Sequence, residues 1–346
     1  MKDKVLAIKD KVLVIGPSWV GDMILAQSLF KLLKHERPES EIDVAAPGWT
    51  LPLLERMPEV SRGIALPFRH GKLDMLQRFR IGRSLRQNGY TQAIVLPNSF
   101  KSACLPFFAG IDRRTGFKGE LRHGLLNDIR SLDKQRLPMT VDRFAALGLA
   151  PNQPAPARLP TPALCASREQ AATALAKLDR RLPEKPVLGL CPGAEYGPAK
   201  RWPEAHYAEV ARWALDQGLE VWLFGSGKDI PVTQVINQLT ENRCLDLGGK
   251  TSLGEAIDLM ALTSAVVSND SGLMHVAAAL DRPLIAIYGS SDPHHTPPMS
   301  YNATVLYMGL ECSPCFKREC PLGHLNCLNG ITPASVIAAI STLRKP

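Results

Sequence analysis

Three polar junctions and one cluster of thiols are the parts of this chain best suited to chemistry. Ser268-Asn269-Asp270-Ser271-Gly272 joins a buried apolar run at Val266-Val267 to an alanine-rich helical run, Leu273 to Leu280. A strand passing through a polar turn into a helix leaves unpaired backbone N–H groups at the helix start. They face the crevice beyond the sheet, where anions and sugar phosphates bind. Asp270 there is either a helix cap or a carboxylate for sugar hydroxyls; His275 is either a ligand residue or a satisfied structural histidine. Asp22 ends the loop Gly16-Pro17-Ser18-Trp19-Val20-Gly21-Asp22 that follows the apolar run Lys11 to Ile15. It either caps the next helix or offers a carboxylate to the crevice. Lys200 and Arg201 lie in the long loop Pro192 to Pro203, beside Gly193 and Gly197, a composition that suits contact with phosphate. The glycine spacings are neither the dinucleotide fingerprint nor a P-loop. Cys312, Cys315, Cys320 and Cys327 have the spacing C-x2-C-x4-C-x6-C, with His324 among them. That pattern permits an all-thiolate zinc site, an iron–sulfur cluster, or plain or reversibly paired thiols.

The elements that must position these residues repeat one rhythm. Apolar runs of strand length end in polar loops and continue as helices, the pattern of open parallel α/β sheets. The first such unit opens with Lys11 to Ile15 and a helix over Met23 to Leu33, and closes with a helix over Met139 to Leu147. A Pro- and Ala-rich stretch, Ala150 to Pro162, reads as the linker. The second opens with Val187 to Cys191 and ends with a helix over Thr332 to Leu343, where Thr332 is the cap and Pro333 the first helical residue. The domains expected are residues 1–165 and 183–330, with 331–346 as a helix able to cross back onto the first. Residues 1–10 nearly duplicate the start of the first strand and are assigned no role; Arg69 to Lys72 forms a basic loop.

With 346 residues, 45% of them hydrophobic, the chain can bury two cores. No apolar run has transmembrane length, and charges interrupt the N-terminal region where a signal peptide would be apolar. A cytoplasmic, reducing setting is therefore expected, and the eight cysteines are not a secretory disulfide framework. The formal charge is +8, and between Ser61 and Arg143 there are 16 Lys and Arg against 6 Asp and Glu. Such a surface attracts anionic partners. The absence of a basic stripe interleaved with aromatics argues against nucleic acid. Lys101, Arg113, Arg114, Lys118, Arg122 and His123 gather near loops after strands of the first domain.

Five stretches in order, GPSWVGDMILAQSL, LPNSFKSACLPFFAGI, GFKGELRHGLLND, CPGAEYGPAKRWP and SNDSGLMHVAAAL, resemble the lipopolysaccharide heptosyltransferases of glycosyltransferase family 9. Within that family the similarity is greatest to members that add the second heptose. The resemblance implies a GT-B fold, two Rossmann-like α/β domains with parallel sheets facing across a cleft. It implies an inverting enzyme needing no catalytic metal, with ADP-L-glycero-β-D-manno-heptose as donor and heptosyl-Kdo2-lipid A as acceptor. Asp22 matches the family's general base and Lys200 the lysine on the diphosphate. Asp270 matches the carboxylate on the donor heptose, and Asp229 lies near the acidic contact to ribose. Ser271, Gly272 and Leu273 would meet the phosphates, with His275 beside them. Asn98, Lys101 and Arg122 fall on the acceptor side. No hydrophobic anchor is visible in the sequence, so attachment to the cytoplasmic face of the inner membrane is expected to be peripheral, with the basic excess drawing anionic lipid, and no obligate protein partner is evident. The other readings are transfer of the first heptose onto Kdo-lipid A, or a non-catalytic nucleotide-sugar or core-binding protein. For the four cysteines it leaves a structural role, zinc or iron–sulfur, or none.

Overall fold

The computed structural model describes residues 10–68, 72–151 and 153–343. The assignments made above for residues 1–9 and for Arg69, His70 and Gly71 lie outside the described residues. The chain divides into two units, Met1–Pro160 and Thr161–Pro346.

In the first unit, β1 (Lys11–Ile15), α1 (Val20–Glu36), β2 (Glu41–Pro47), α2 (Leu51–Leu54), β3 (Arg62–Leu66) and α3 (Met75–Leu85) precede β4 (Gln92–Val95). Then follow α4 (Phe100–Phe108), β5 (Arg113–Phe117), β6 (Asp128–Arg130) and α5 (Thr140–Gly148). The strands form one sheet in the order β3-β2-β1-β4-β5-β6. All pairs are parallel, with Val12 opposite both Ile42 and Gln92. Val12, Leu13 and Val14 are wholly buried. Helices on both faces of a parallel sheet explain why its central strand reads as an unbroken apolar run.

The second unit runs α6 (Arg168–Ala176), β7 (Val187–Cys191), α7 (Glu204–Asp216), β8 (Glu220–Leu223), α8 (Ile230–Leu239), β9 (Leu245–Asp246) and α9 (Leu253–Met260). It continues with β10 (Ala265–Asn269), α10 (Gly272–Ala279), β11 (Leu284–Tyr288), β12 (Ala303–Tyr307), α11 (Asn326–Asn329) and α12 (Pro333–Leu343). Its sheet order is β12-β11-β10-β7-β8-β9, again parallel throughout, with Val266 opposite Leu284 and Gly189. Each unit is therefore a doubly wound α/β layer sandwich, the unit type of a GT-B chain.

Four elements add to the sequence-based picture. The helix α6, in the stretch that the expected bounds 1–165 and 183–330 leave unassigned, packs on α9 in the second unit, and the Ser167 N–H donates to Asp258 Oδ1 at 2.9 Å. The final helix, expected to be able to cross to the first domain, buries Val336 and Ile340 in the second unit's core and packs on α7 and β11. The short strands β6 and β12 were not foreseen. Their half-buried edge positions carry a weaker apolar signal than the central strands.

In both sheets the chain builds outward from a central strand and then restarts on that strand's other side. The restart separates β1 from β4 in the first unit and β10 from β7 in the second. Loops leaving the carboxyl ends of such neighbours diverge and open a crevice.

Candidate donor and acceptor sites

In the second unit the crevice lies between the loop after β7, which carries Lys200, and the junction of β10 with α10, which carries Asp270. Lys200 Nζ stands 2.5 Å from Asp270 Oδ2, with the two side chains 19% and 5% exposed. The same oxygen accepts from Ser291 Oγ at 2.5 Å, from the loop after β11. Three strand ends thus converge on one carboxylate. Asp270 does not cap the helix: Ser271 holds the cap position, and Gly272 and Leu273 begin α10. The backbone N–H groups of that first turn remain available to an anion, and no acidic side chain occupies the turn.

Asn269, named above only as part of the polar turn, is the last residue of β10 and fixes this geometry. Its Nδ2 donates to the Pro192 carbonyl at 2.6 Å, while Oδ1 accepts from the Trp202 N–H and the Tyr207 hydroxyl, each at 3.0 Å. A fully buried amide with its hydrogen bonds made to both ends of the Lys200 loop ties that loop to β10. The available signal was a polar residue at the end of an otherwise apolar strand.

His275 lies one turn into α10 and is 5% exposed. Burial lowers its pKa to about 4; the Asp270 carboxylate opposes that shift and Lys200 adds to it. The imidazole is therefore neutral at neutral pH. Asp229 is also buried, at the end of the 3₁₀ turn Gly227–Asp229. Its Oδ2 accepts from the Ser226 N–H at 2.9 Å and the Ser226 hydroxyl at 2.7 Å. A Cβ on Gly193 would lie 2.4 Å from this carboxylate, so glycine is what lets the β7 loop approach it.

In the first unit the corresponding crevice is flanked by Asp22 and Asn98. Asp22 lies in the first turn of α1, three residues past the cap residue Trp19, so it is not the helix cap. A first-turn carboxylate is favoured by the helix dipole and faces the loop end of the sheet. Asn98, exposed, sits in the loop after β4. Arg122, expected on the acceptor side, is 2% exposed and points inward. Its guanidinium donates to Pro97 O at 2.8 Å, to Asn98 Oδ1 at 3.2 Å and to Phe117 O. It is a brace between the ends of β4 and β5. Arg114 likewise donates to the carbonyls of Leu125 and Ile111, and Arg113 pairs with Asp128 at 3.2 Å. The half-buried Lys101 is the member of the basic set that lies on α4 beside Asn98.

The four cysteines of the C-terminal motif line one pocket with His324, and Ala199 and Ser290 form part of its wall. All eight cysteines are free. Backbone N–H groups, that of Leu325 foremost, hold the Cys320 thiol below its ordinary pKa. Burial, then the other three thiols, push that of Cys327 up. Among the described residues, no group of three or more His, Cys, Asp or Glu side chains is arranged to hold a metal ion. Of the readings the spacing permits, the zinc and iron–sulfur ones find no support in this arrangement.

The sequence model of glycosyltransferase family 9 (heptosyltransferase) matches residues 78–326, which include Lys200, Asp229 and Asp270. The chain belongs to this family. It is 46% identical over 342 residues to lipopolysaccharide heptosyltransferase 2 of Escherichia coli K12, covering 96% of this chain and 98% of that one. It is 50% identical over 343 residues to lipooligosaccharide heptosyltransferase 2 of Haemophilus influenzae Rd, covering 96% and 99%. The solved structure of E. coli ADP-heptose LPS heptosyltransferase II superposes with a TM-score of 0.86 at 44% identity, covering 96% of this chain and 98% of that one. Both units of this family 9 glycosyltransferase thus have counterparts in a solved relative.

Proposed function

We propose that this glycosyltransferase moves L-glycero-D-manno-heptose from ADP-heptose to the first heptose of the lipopolysaccharide inner core, with inversion. The observation that carries the reading is the Lys200–Asp270–Ser291 cluster beside the open start of α10, in a chain 46% identical to lipopolysaccharide heptosyltransferase 2 over nearly its whole length. In the second unit, the Ser271, Gly272 and Leu273 backbone and Lys200 receive the diphosphate, Asp270 the heptose hydroxyls and Asp229 the ribose. His275, neutral and buried, supports the turn beneath Asp270. In the first unit, Asn98 and Lys101 contact the anionic acceptor.

The reaction forms a bond from an acceptor hydroxyl oxygen to the anomeric carbon and breaks the bond from that carbon to the β-phosphate oxygen. Asp22 takes the hydroxyl proton as it is lost. Lys200 and the helix start offset the charge gathering on the departing ADP. The test supplies ADP-heptose with two acceptors, one ending in Kdo and one in heptose. Transfer to the heptose-ended acceptor is expected; transfer only to the Kdo-ended one would reject the assignment, and binding without turnover would reject catalysis.

We also infer that the protein works while resting on the cytoplasmic face of an anionic membrane. Among the described residues no helix is long and apolar enough to cross a membrane. Support comes from the outer face of α3 and the end of α4. Leu76 and Phe79 are exposed there, Phe79 and Phe107 both stack edge-on with Phe108, and Arg83 and Arg114 lie over the Phe79 and Phe107 rings. Aromatic rings ringed by arginine suit the interface of an anionic bilayer. Sedimentation with phosphatidylglycerol vesicles should fall for Phe79→Ser with Leu76→Ser and in high salt. Equal binding to neutral vesicles would refute the electrostatic part.

A further inference from the structure

The four-thiol loop, residues 312–327, takes no part in the donor chemistry, yet its backbone grips the donor site from behind. On the β7 side, Tyr196 Oη donates to the Phe316 carbonyl at 2.7 Å, and the Ala199 N–H donates to the Arg318 carbonyl at 3.0 Å. The ring of Tyr196 has Lys200 Nζ 5.2 Å from its centre and the Arg318 guanidinium 5.3 Å from it. Gly197 lies so close that a Cβ there would stand 2.6 Å from the Arg318 carbonyl oxygen. On the β11 side, the Phe316 N–H donates to Ser290 O at 2.7 Å, and Ser313 Oγ donates to Gly289 O at 2.5 Å. The Ser290 N–H closes the circuit on Ala199 O at 3.3 Å.

These contacts end one residue short of the chemistry on both sides. Ala199 precedes Lys200 and Ser290 precedes Ser291, the two donors on Asp270 Oδ2. The same Ala199 and Ser290 wall the pocket that all four thiols line. Cys312, Cys315 and Cys320 are partly exposed, so a small reagent reaches them, and segment 313–318 is strung between them. A change in how these sulfurs are joined is thus passed through one hydrogen-bonded layer to Lys200 and Ser291.

We propose that this loop is a thiol-modification site that positions the donor lysine: exchange of two of its thiols with a small disulfide draws Lys200 and Ser291 off Asp270 and weakens nucleotide-sugar binding. In the exchange a loop thiolate attacks glutathione disulfide, forming a mixed disulfide and releasing one glutathione thiolate. A second loop thiolate then displaces the other glutathione. One protein S–S bond forms, one glutathione S–S bond breaks, and the two thiol protons end on two glutathione molecules. Lost register of about 1 Å at a reacting group costs on the order of a hundredfold in rate, so a modest displacement has a readable effect.

The nucleotide arm of this proposal rests on the donor reading of the site, so the test carries a second readout that does not. The full chain, as Cys165→Ser to remove an exposed thiol elsewhere, is incubated with glutathione disulfide and checked by peptide mass for the loss of two hydrogens within 312–327. ADP affinity is measured by calorimetry, and Lys200 reactivity by acylation with an N-hydroxysuccinimide ester. The result expected is an ADP dissociation constant raised about tenfold and Lys200 acylated several-fold faster, both reversed by dithiothreitol and both lost in at least one of Cys312→Ser, Cys315→Ser, Cys320→Ser and Cys327→Ser. ADP that fails to bind the reduced protein would sink the donor reading while leaving the lysine readout to judge the loop. Unchanged Lys200 acylation once the loop disulfide has formed, or failure of that disulfide to form, would overturn the proposal.

Discussion

Replacing Asn269 with alanine should damage the donor site without touching any group that meets substrate. The amide makes three buried hydrogen bonds, to Pro192 O at 2.6 Å and from the Trp202 N–H and Tyr207 hydroxyl at 3.0 Å. Asn269 and Tyr207 are fully buried and Trp202 is 1% exposed, so water cannot replace the lost partner. At a net value of about 1 kcal/mol per bond, and with the Trp202 N–H and Pro192 carbonyl left unpaired, the cost is about 3–4 kcal/mol. Tyr207→Phe removes one of the three bonds and should cost only about 1 kcal/mol. Urea unfolding of both variants gives these differences. Because the same bonds pin both ends of the Lys200 loop, the KM for ADP-heptose should rise about tenfold in Asn269→Ala, the equivalent of ~1.4 kcal/mol, with a smaller change in Tyr207→Phe. An Asn269→Ala protein within about 1 kcal/mol of the parent, or a Tyr207→Phe protein equally damaged, would refute the reasoning.

Asp22→Asn should lower transfer by on the order of a hundredfold or more, the usual worth of a general base, while calorimetry finds ADP binding unchanged; near-normal turnover would remove Asp22 from that role. Arg122→Met strands the Pro97 and Phe117 carbonyls and should cost about 2–4 kcal/mol in urea unfolding; unchanged stability with a raised acceptor KM would make Arg122 a ligand residue and not a brace. His275 should make the fold acid-sensitive. Its folded pKa of about 4 lies below the ordinary 6.5, so the unfolded chain takes up the proton first and stability falls as pH drops from 6.5 toward 4. The loss should reach about 2 kcal/mol at pH 5, and should disappear in His275→Gln when the two proteins are compared between pH 7 and pH 5.

The central strands were legible because burial on both faces demands apolar residues at every position. Lys11–Ile15 and Val187–Cys191 match the boundaries read from sequence. Two of the four edge strands, β6 and β12, were not, since β12 is half-buried with Val305 exposed and β6 spans three residues. The start of α1 also moved. No side chain caps it, and Trp19 stands where a serine or aspartate would have marked the boundary. Asp22 was therefore read as the edge of the helix when it belongs to the first turn.

Site residues divided along a different line. Asp270 and Lys200 could be located because each occupies a loop at the end of a parallel strand, a place that follows from topology; Asp229 was reached only through the family resemblance. Whether a charged side chain there meets a ligand or the protein depends on partners far away in sequence. Arg122 and Lys101 are both cations in the same loop region, but the Arg122 guanidinium is surrounded by Pro97, Asn98 and Phe117. A buried guanidinium that donates to its own unit's carbonyls has little left for an acceptor phosphate, and no local pattern reveals that. The same holds for Ser291. Its hydroxyl became part of the site only because the sheet order sets β11 beside β10, bringing it to Asp270. The donor cluster is thus a property of the restart between β7 and β10. Under the function proposed above, a cation, a hydroxyl and a carboxylate held together before any ligand arrives would be preorganised to stabilise a departing diphosphate. What Asp270, Lys200 and Ser291 lack is a base for the acceptor hydroxyl. The proposed one, Asp22, stands at the corresponding restart of the other sheet, so each unit alone would supply half of the reaction.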